Sequence, residues 1–233
     1  TAHIVNALLE RNPQVDASMV EDIILGCGNP EGAQGHNIAR NVAVLSNLPI
    51  ETGGITVNRY CSSGLNSIAM AATQIQSGFS DCIIAGGVES ISTSQGHTNM
   101  HMYVNEDLAA NAPGIYHAMG TTAEAVAQRY DVSREAQDEY ALSSQQRCAA
   151  AQDAGRYDDE IIPMATKMML KNKETGAEKE VDVVVDGDDC NRPQTTLEGL
   201  ASLNPVFDPE NGSVTAGNAS QLSDGASVTL VMS

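Results

Sequence analysis

Cys61 stands where an apolar strand, Ile55-Thr56-Val57, turns into a small-residue helix that continues through Ser67, Ala69 and Met70. A sulfur at a helix N-terminus faces backbone N–H groups that lack intrahelical acceptors and the positive end of the helix dipole. Both favour a thiolate. The same N–H groups can hold an oxyanion, so the position suits a nucleophile for acyl chemistry. The elbow alone leaves a simply packed thiol as a competing reading.

The other sulfurs and imidazoles offer less. Cys27 and Cys82 lie in apolar strand patterns and are expected as small core residues, and with Cys148 and Cys190 they form no C-x-x-C pair or disulfide framework. His97 and His101 are four apart and could share a metal on one helix, but no third ligand accompanies them, so no metal site is expected. Gly26-Cys27-Gly28 begins like a dinucleotide loop, yet Glu31 occupies the third glycine position and that reading collapses.

Charge narrows the classes of partner. Twelve Lys+Arg against thirty Asp+Glu give a net charge of −18, which disfavours nucleic acid and anionic membranes. All four lysines, Lys167, Lys171, Lys173 and Lys179, fall in one short stretch, with Arg192 soon after. An acidic protein that binds a phosphate-rich ligand must gather cations locally, and Arg192, with or without these lysines, is the candidate. Alternatively, the lysines decorate a solvated hairpin around Asn172 to Gly176.

The elements that would position Cys61 follow a βαβ rhythm. Ala2 to Glu10 reads as a helix, and Asp16 can cap a short helix before the strand Ile23-Ile24-Leu25. Asn37 to Leu45 reads as a helix before Ile55–Val57, and Gly78 stops the helix after Cys61. A second buried strand, Asp81 to Ala85, runs into Gly86-Gly87-Val88-Glu89-Ser90. Such alternation predicts a parallel sheet covered on both faces, with ligands at the carboxyl ends of its strands.

From Ile91 the pattern changes. Ser92 to Met119 is a polar excursion of weak periodicity, Thr121-Thr122-Ala123-Glu124 reads as a capping box opening a helix to Tyr130, and Ser133 caps a longer helix ending near Gly155. Strands are expected over Glu160–Met164 and Glu180–Val185, and Ala226–Met232 alternates as a strand that rejoins the first sheet. With 233 residues, 42% hydrophobic and 3% aromatic, the chain is long and apolar enough for a globular α/β core. No stretch approaches the roughly 18 apolar residues of a membrane span. No basic-then-apolar leader follows Thr1, and a cytoplasmic protein is expected.

Asn58-Arg59-Tyr60-Cys61-Ser62-Ser63-Gly64-Leu65, followed by Ala85-Gly86-Gly87-Val88-Glu89-Ser90, resembles the nucleophile region of the thiolases. Val214 to Ala226, with Thr215-Ala216-Gly217-Asn218-Ala219-Ser220 at its heart, resembles the segment by which thiolases re-enter their core domain beside the CoA thiol. Met119-Gly120-Thr121-Thr122-Ala123-Glu124 and Arg192 to Leu200 are similar to intervening thiolase segments, so the resemblance covers essentially the whole chain.

The resemblance implies an α/β fold: a thiolase-like core half with a mixed, mostly parallel sheet covered by helices, formed by residues 1–90 and 222–233, and an inserted α+β loop subdomain over 91–221 that binds CoA. It implies acyl transfer between CoA thioesters through a Cys61 acyl-enzyme, either 3-ketoacyl-CoA thiolysis or acetoacetyl-CoA synthesis. CoA and acyl-CoA enter as substrates, with no tightly bound cofactor or metal. Ser220, Ala216 and Ala219 would line the pantetheine arm, Leu203 and Arg192 would flank the nucleotide, and Met119 and Phe207 would form apolar walls. A helix N-cap before Gln221 to Asp224 is the competing role for Ser220. Core packing competes equally for Phe207.

The same resemblance implies a homodimer or homotetramer. It also implies an upstream strand and a C-terminal core half that are absent from this sequence, the half bringing an acid/base histidine and a second cysteine, so that the chain by itself is expected to be inactive. Ala118 stands where many short-chain members carry a histidine, and His117 lies one residue earlier. Two alternatives remain: a ketoacyl-synthase-like condensing enzyme, and a non-catalytic half that only binds CoA or dimerises.

Overall fold

The computed structural model describes residues 1–173 and 175–233. The chain folds as two compact units, Thr1–Asn99 with Leu222–Ser233, and Met100–Gln221.

The first unit is built on a four-stranded sheet of order β2-β1-β3-β6: β1 Asp22–Gly26, β2 Ile55–Val57, β3 Cys82–Glu89 and β6 Gly225–Met232. β1 pairs in parallel with both β2 and β3, and β6 runs antiparallel to β3, with Ala85 opposite Thr229. The sheet is therefore mixed and mostly parallel. Around it lie α1 Ala2–Arg11, α2 Ile38–Leu45, α3 Ser63–Gln76 and the short α4 Ile91–Ser94.

The apolar runs of β1 and β3 are explained by burial on both faces. Ile23, Leu25 and Ile84 join Val5, Ala39 and Val42 in one cluster, while Ile24, Ile83 and Ala85 join Ala71 of α3 in another. Ile23, Ile24, Ile83 and Ile84 have no exposed surface, and each such side chain contributes roughly 2–3 kcal/mol on burial. Cys27 and Cys82 are 1% exposed.

Local signals hold in this unit. Asp16 caps a 3-10 turn, Ala17–Met19, by accepting from Ser18, and Asn37 caps α2 by accepting from Arg40. Gly78, at φ +70°, ends α3 in the left-handed conformation that glycine adopts without strain. α4 continues the unit past Ser90: Asp224 accepts from the Ser92 N–H and from the Ser90 and Ser92 hydroxyls, fastening this turn to the segment that leads into β6.

In the second unit, α5 Glu106–Asn111, α6 Met119–Arg129, α7 Arg134–Asp153 and α8 Leu197–Ala201 accompany an antiparallel hairpin, β4 Met164–Lys171 with β5 Glu178–Val185. Ser133 caps α7 by accepting from Ala136. Four local expectations fail here. Asn105 caps α5 inside the stretch expected to be irregular. The Thr121–Glu124 capping box does not form, because α6 already begins at Met119 and the Glu124 carboxylate is drawn to a distant loop. The strand expected over Glu160–Met164 begins only at Met164, since residues 157–160 turn and Pro163 has no N–H to give a ladder. Residues 221–224 are not helical, so Ser220 caps nothing.

The hairpin turn joins Asn172 to Ala177 and Gly176. Glu174, within the turn expected around Asn172 to Gly176, lies outside the described residues. Among the described residues, no helix is long and apolar enough to cross a membrane.

Candidate functional site

Cys61 lies on the short step, residues 58–62, between the β2 exit and α3, and it is exposed. It stands just ahead of the first turn of α3, at the positive end of the helix dipole, where the Ser62 N–H donates to the Arg59 carbonyl at 3.1 Å and the Ser63 N–H to the Tyr60 carbonyl at 3.0 Å. The close seat of α3 on the sheet depends on glycine. A Cβ at Gly26 would lie 2.3 Å from the Ser63 carbonyl carbon and 2.5 Å from the Gly64 nitrogen, and one at Gly87 would lie 3.5 Å from the Gly64 Cα. Ser67, fully buried, donates to the Gly86 carbonyl at 2.6 Å. The glycines of β1 and β3 thus bring the start of α3 onto the carboxyl ends of those strands, where Cys61 meets solvent.

Beside this elbow lies a partly buried polar lock that the sequence did not announce. The Glu89 carboxylate accepts the Gly28 N–H at 2.7 Å and a Gln34 amide proton, while Gln34 accepts the Ser90 N–H at 2.8 Å and donates to the Asn29 carbonyl at 2.7 Å. Cys27 points at the same carboxylate, 3.9 Å away. Burial, then the charge of Glu89, pushes the Cys27 thiol up to about 11, which keeps it protonated and unreactive. Glu89 had a signal only as part of the Gly86–Ser90 motif; Gln34 had none.

Among the candidate residues, Cys61 belongs to the first unit and the other seven to the second. Ala216, Ala219 and Ser220 are exposed on the loop following the buried Val214 and Thr215. Leu203 reaches this loop: a Cβ on Gly217 would meet its Cδ1 at 2.6 Å. The Phe207 ring covers Gly120, where a Cβ would sit 2.0 Å from the ring, and Met119, the residue before Gly120 in α6, is exposed, as is Phe207. Arg192 is exposed, its N–H bonded to Gln145, two residues beyond Cys190, whose carbonyl accepts from Gln221 next to Ser220.

That loop is held by carboxylates buried in α6 and α7. Glu124 accepts the Ser213 and Val214 N–H groups, at 2.9 and 2.8 Å, and the Ser213 hydroxyl. Asn218 donates to Asp138 at 3.0 Å and accepts the Thr215 N–H at 2.8 Å. Arg134 pairs with Asp138 at 2.8 Å and donates to the Leu200 and Leu203 carbonyls. Glu124, Asp138 and Arg134 therefore position the candidate loop without belonging to it. Helical periodicity hid them, because a polar residue on a helix reads as solvated until a distant backbone donor is found.

Two basic candidates are already engaged. Lys167 pairs with Glu180 at 2.5 Å and Lys171 with Glu178 at 3.4 Å across the hairpin, all four largely exposed. This favours a solvated hairpin over a phosphate patch for these two lysines. A groove of about 420 Å³ borders the hairpin and is lined by Tyr157, Ile161, Met168 and Val183 together with Asp158, Asp186, Asp188 and Asp189. None of the candidate residues lines it, and its aspartates would repel phosphate. His97 and His101 do not share a helix: α4 ends at Ser94 and the two lie in separate turns.

Comparisons with known proteins agree with the resemblance drawn from the motifs. A family model described as the thiolase N-terminal domain matches residues 1–233. The 3-ketoacyl-CoA thiolase of Vibrio vulnificus strain CMCP6 is 42% identical over 238 aligned positions, covering 100% of this chain and 57% of the relative. That of Bacillus subtilis strain 168 is 46% identical over 215 positions, covering 91% of this chain and 54% of the relative. A third, from Shewanella loihica, is 43% identical over 238 positions, covering 100% of this chain and 57% of the relative. The chain thus spans little more than half the length of the relatives it matches.

Proposed function

The chain belongs to the thiolase family, and on that premise we propose that it serves acyl transfer between CoA thioesters, with Cys61 as the sulfur that carries the acyl group. The observation that carries this proposal is the exposed Cys61 at a strand-to-helix elbow seated on glycine, at the carboxyl ends of parallel strands.

In the degradative direction, the Cys61 thiolate attacks the 3-keto carbonyl of a 3-ketoacyl-CoA. The bond between C2 and C3 breaks, its electron pair leaves with acetyl-CoA as the enolate, and the enolate takes up a proton. The shortened acyl group stays on Cys61 as a thioester. The thiolate of free CoA then attacks that thioester, releasing the new acyl-CoA and the cysteine thiolate. Read backwards, an acetyl group on Cys61 is attacked by the enolate of a second acetyl-CoA to give acetoacetyl-CoA. Sulfur serves both steps, as a strong nucleophile and as a good leaving group.

The second unit, in this proposal, binds the CoA moiety. Arg192 meets phosphate, Leu203 flanks the nucleotide, Ala216, Ala219 and Ser220 line the narrow pantetheine arm, and Met119 and Phe207 wall the reacting groups. Support comes from the placement of Leu203 against Gly217 of the Ala216–Ser220 loop and of the Phe207 ring over Gly120, next in sequence to Met119. The first unit corresponds to the core half, and the working protein is a cytoplasmic homodimer or homotetramer.

The test is direct transfer. Incubation of the full-length protein with acetyl-CoA, followed by peptide mapping under acidic conditions, should find an acetyl thioester on the Cys61 peptide that hydroxylamine removes. An acetyl group found on other cysteines and not on Cys61 would end the proposal.

A further inference from the structure

We infer that Asn58 and Ser63 act as a two-sided clamp on the backbone of Tyr60 and thereby set the position of Cys61, one residue further on. The inference rests on reading Cys61 as a nucleophile, but on no particular substrate.

Tyr60 has φ 47°, in the left-handed region that glycine adopts freely and a bulky side chain does not. Such a conformation persists only where the surroundings over-determine it. The tyrosine ring does not supply that constraint, since Tyr60 is 76% exposed. The constraint comes from both ends of its backbone. The Tyr60 N–H donates to Asn58 Oδ1 at 2.8 Å. The Tyr60 carbonyl accepts from the Ser63 hydroxyl at 2.6 Å and from the Ser63 N–H at 3.0 Å. Ser63 closes the loop by accepting the Arg59 N–H at 2.8 Å.

Each jaw of the clamp is anchored to the sheet. Asn58 Nδ2 donates to the Gly28 carbonyl at 3.1 Å, and Gly28 is itself fixed by Glu89. Ser63 is 3% exposed and sits where the missing side chain of Gly26 admits it. The exit of β1 and the start of α3 thus hold one strained residue between them, and the direction in which the chain leaves that residue decides where the sulfur of Cys61 stands relative to the helix N-terminus. Asn58 and Ser63 are positioning residues. They act on the nucleophile through Tyr60.

The experiment measures alkylation of Cys61 by iodoacetamide, by peptide mapping, with exposed Cys190 in the same chain as internal reference. Asn58→Ala should lower the Cys61 to Cys190 rate ratio by about tenfold, since small displacements of a reacting group are costly. Adding Tyr60→Gly to Asn58→Ala should return the ratio to within about threefold of the parent, because glycine holds a positive φ without help. Because glycine at a positive φ also relieves strain and can add stability, the denaturant-unfolding midpoint of each variant is read beside the ratio: the clamp requires the ratio to fall in Asn58→Ala under conditions where the variant is fully folded. Ser63→Ala should act in the same direction; if that buried change prevents folding, the exposed Asn58 and Tyr60 positions still decide the matter.

An unchanged ratio in folded Asn58→Ala, or a loss that Tyr60→Gly leaves untouched, overturns the clamp. A parent protein whose Cys61 reacts no faster than Cys190 would overturn instead the reading of Cys61 as a nucleophile, so the two failures are distinguishable.

Discussion

Glu124 accepts the backbone N–H of Val214 at 2.8 Å, across 90 residues of sequence. The same carboxylate takes the Ser213 N–H and hydroxyl, so one buried side chain of α6 satisfies three donors at the start of the Thr215–Ser220 loop. Glu124→Gln should destabilise the protein by about 2–3 kcal/mol, because the amide turns one acceptor into a donor facing buried donors. Denaturant unfolding followed by circular dichroism measures this, and a loss under about half a kcal/mol would deny the carboxylate its anchoring role.

Gly26→Ala tests the seat of α3. The new methyl would meet backbone of Ser63 and Gly64 at 2.3–2.6 Å, atoms that cannot swing aside as a flexible side chain could. We expect a loss of about 1–3 kcal/mol from overpacking, together with slower alkylation of Cys61. A variant as stable and as reactive as the parent would show that the close contact is dispensable.

The broad architecture was legible in the sequence because its signals were local. Asp16, Asn37 and Ser133 each cap the element they precede, and the unbroken apolar runs of β1 and β3 match burial on both faces. The failures share a cause, which is that a distant partner outweighed a local preference. Glu124 left the expected capping box to serve residues 213 and 214, and the expected strand from Glu160 yielded to a turn that ends before Pro163. At the elbow, Cys61 could be singled out from its neighbours, but the Glu89–Gln34 lock and the Asn58–Gly28 contact join residues tens of positions apart that carry no common pattern.

Cys27 should confer a pH dependence at the alkaline end. Burial, reinforced by the charge of Glu89, raises its thiol from an ordinary 9.0 to about 11 in the folded state. A group raised by folding contributes its stability fully below the unfolded value and loses it as pH climbs through the folded one. Stability should therefore fall between about pH 9 and 11, and Cys27→Ala, though less stable at neutral pH, should fall less steeply there. Parallel urea-midpoint curves for the two proteins across that range would contradict the assignment.

Cation removal should separate Arg192 from the hairpin lysines. Arg192→Ala is expected to weaken CoA binding about tenfold and to flatten its salt dependence, as loss of one charge-assisted phosphate contact does. Lys167→Ala and Lys171→Ala, whose ammonium groups already face Glu180 and Glu178, should change affinity by less than about twofold. Calorimetric titration with CoA distinguishes the two patterns, and the reverse order of effects would move the phosphate site to the hairpin.

The most direct test of Cys61 as the activated sulfur compares it with Cys190, because both are exposed whereas Cys27 and Cys82 are shielded by burial alone. Under limiting iodoacetamide at neutral pH, Cys61 should be alkylated at least about tenfold faster than Cys190, and saturating acetyl-CoA should protect it. Equal rates at the two cysteines, with no protection by the thioester, would contradict the assignment of the acyl-carrying role to Cys61.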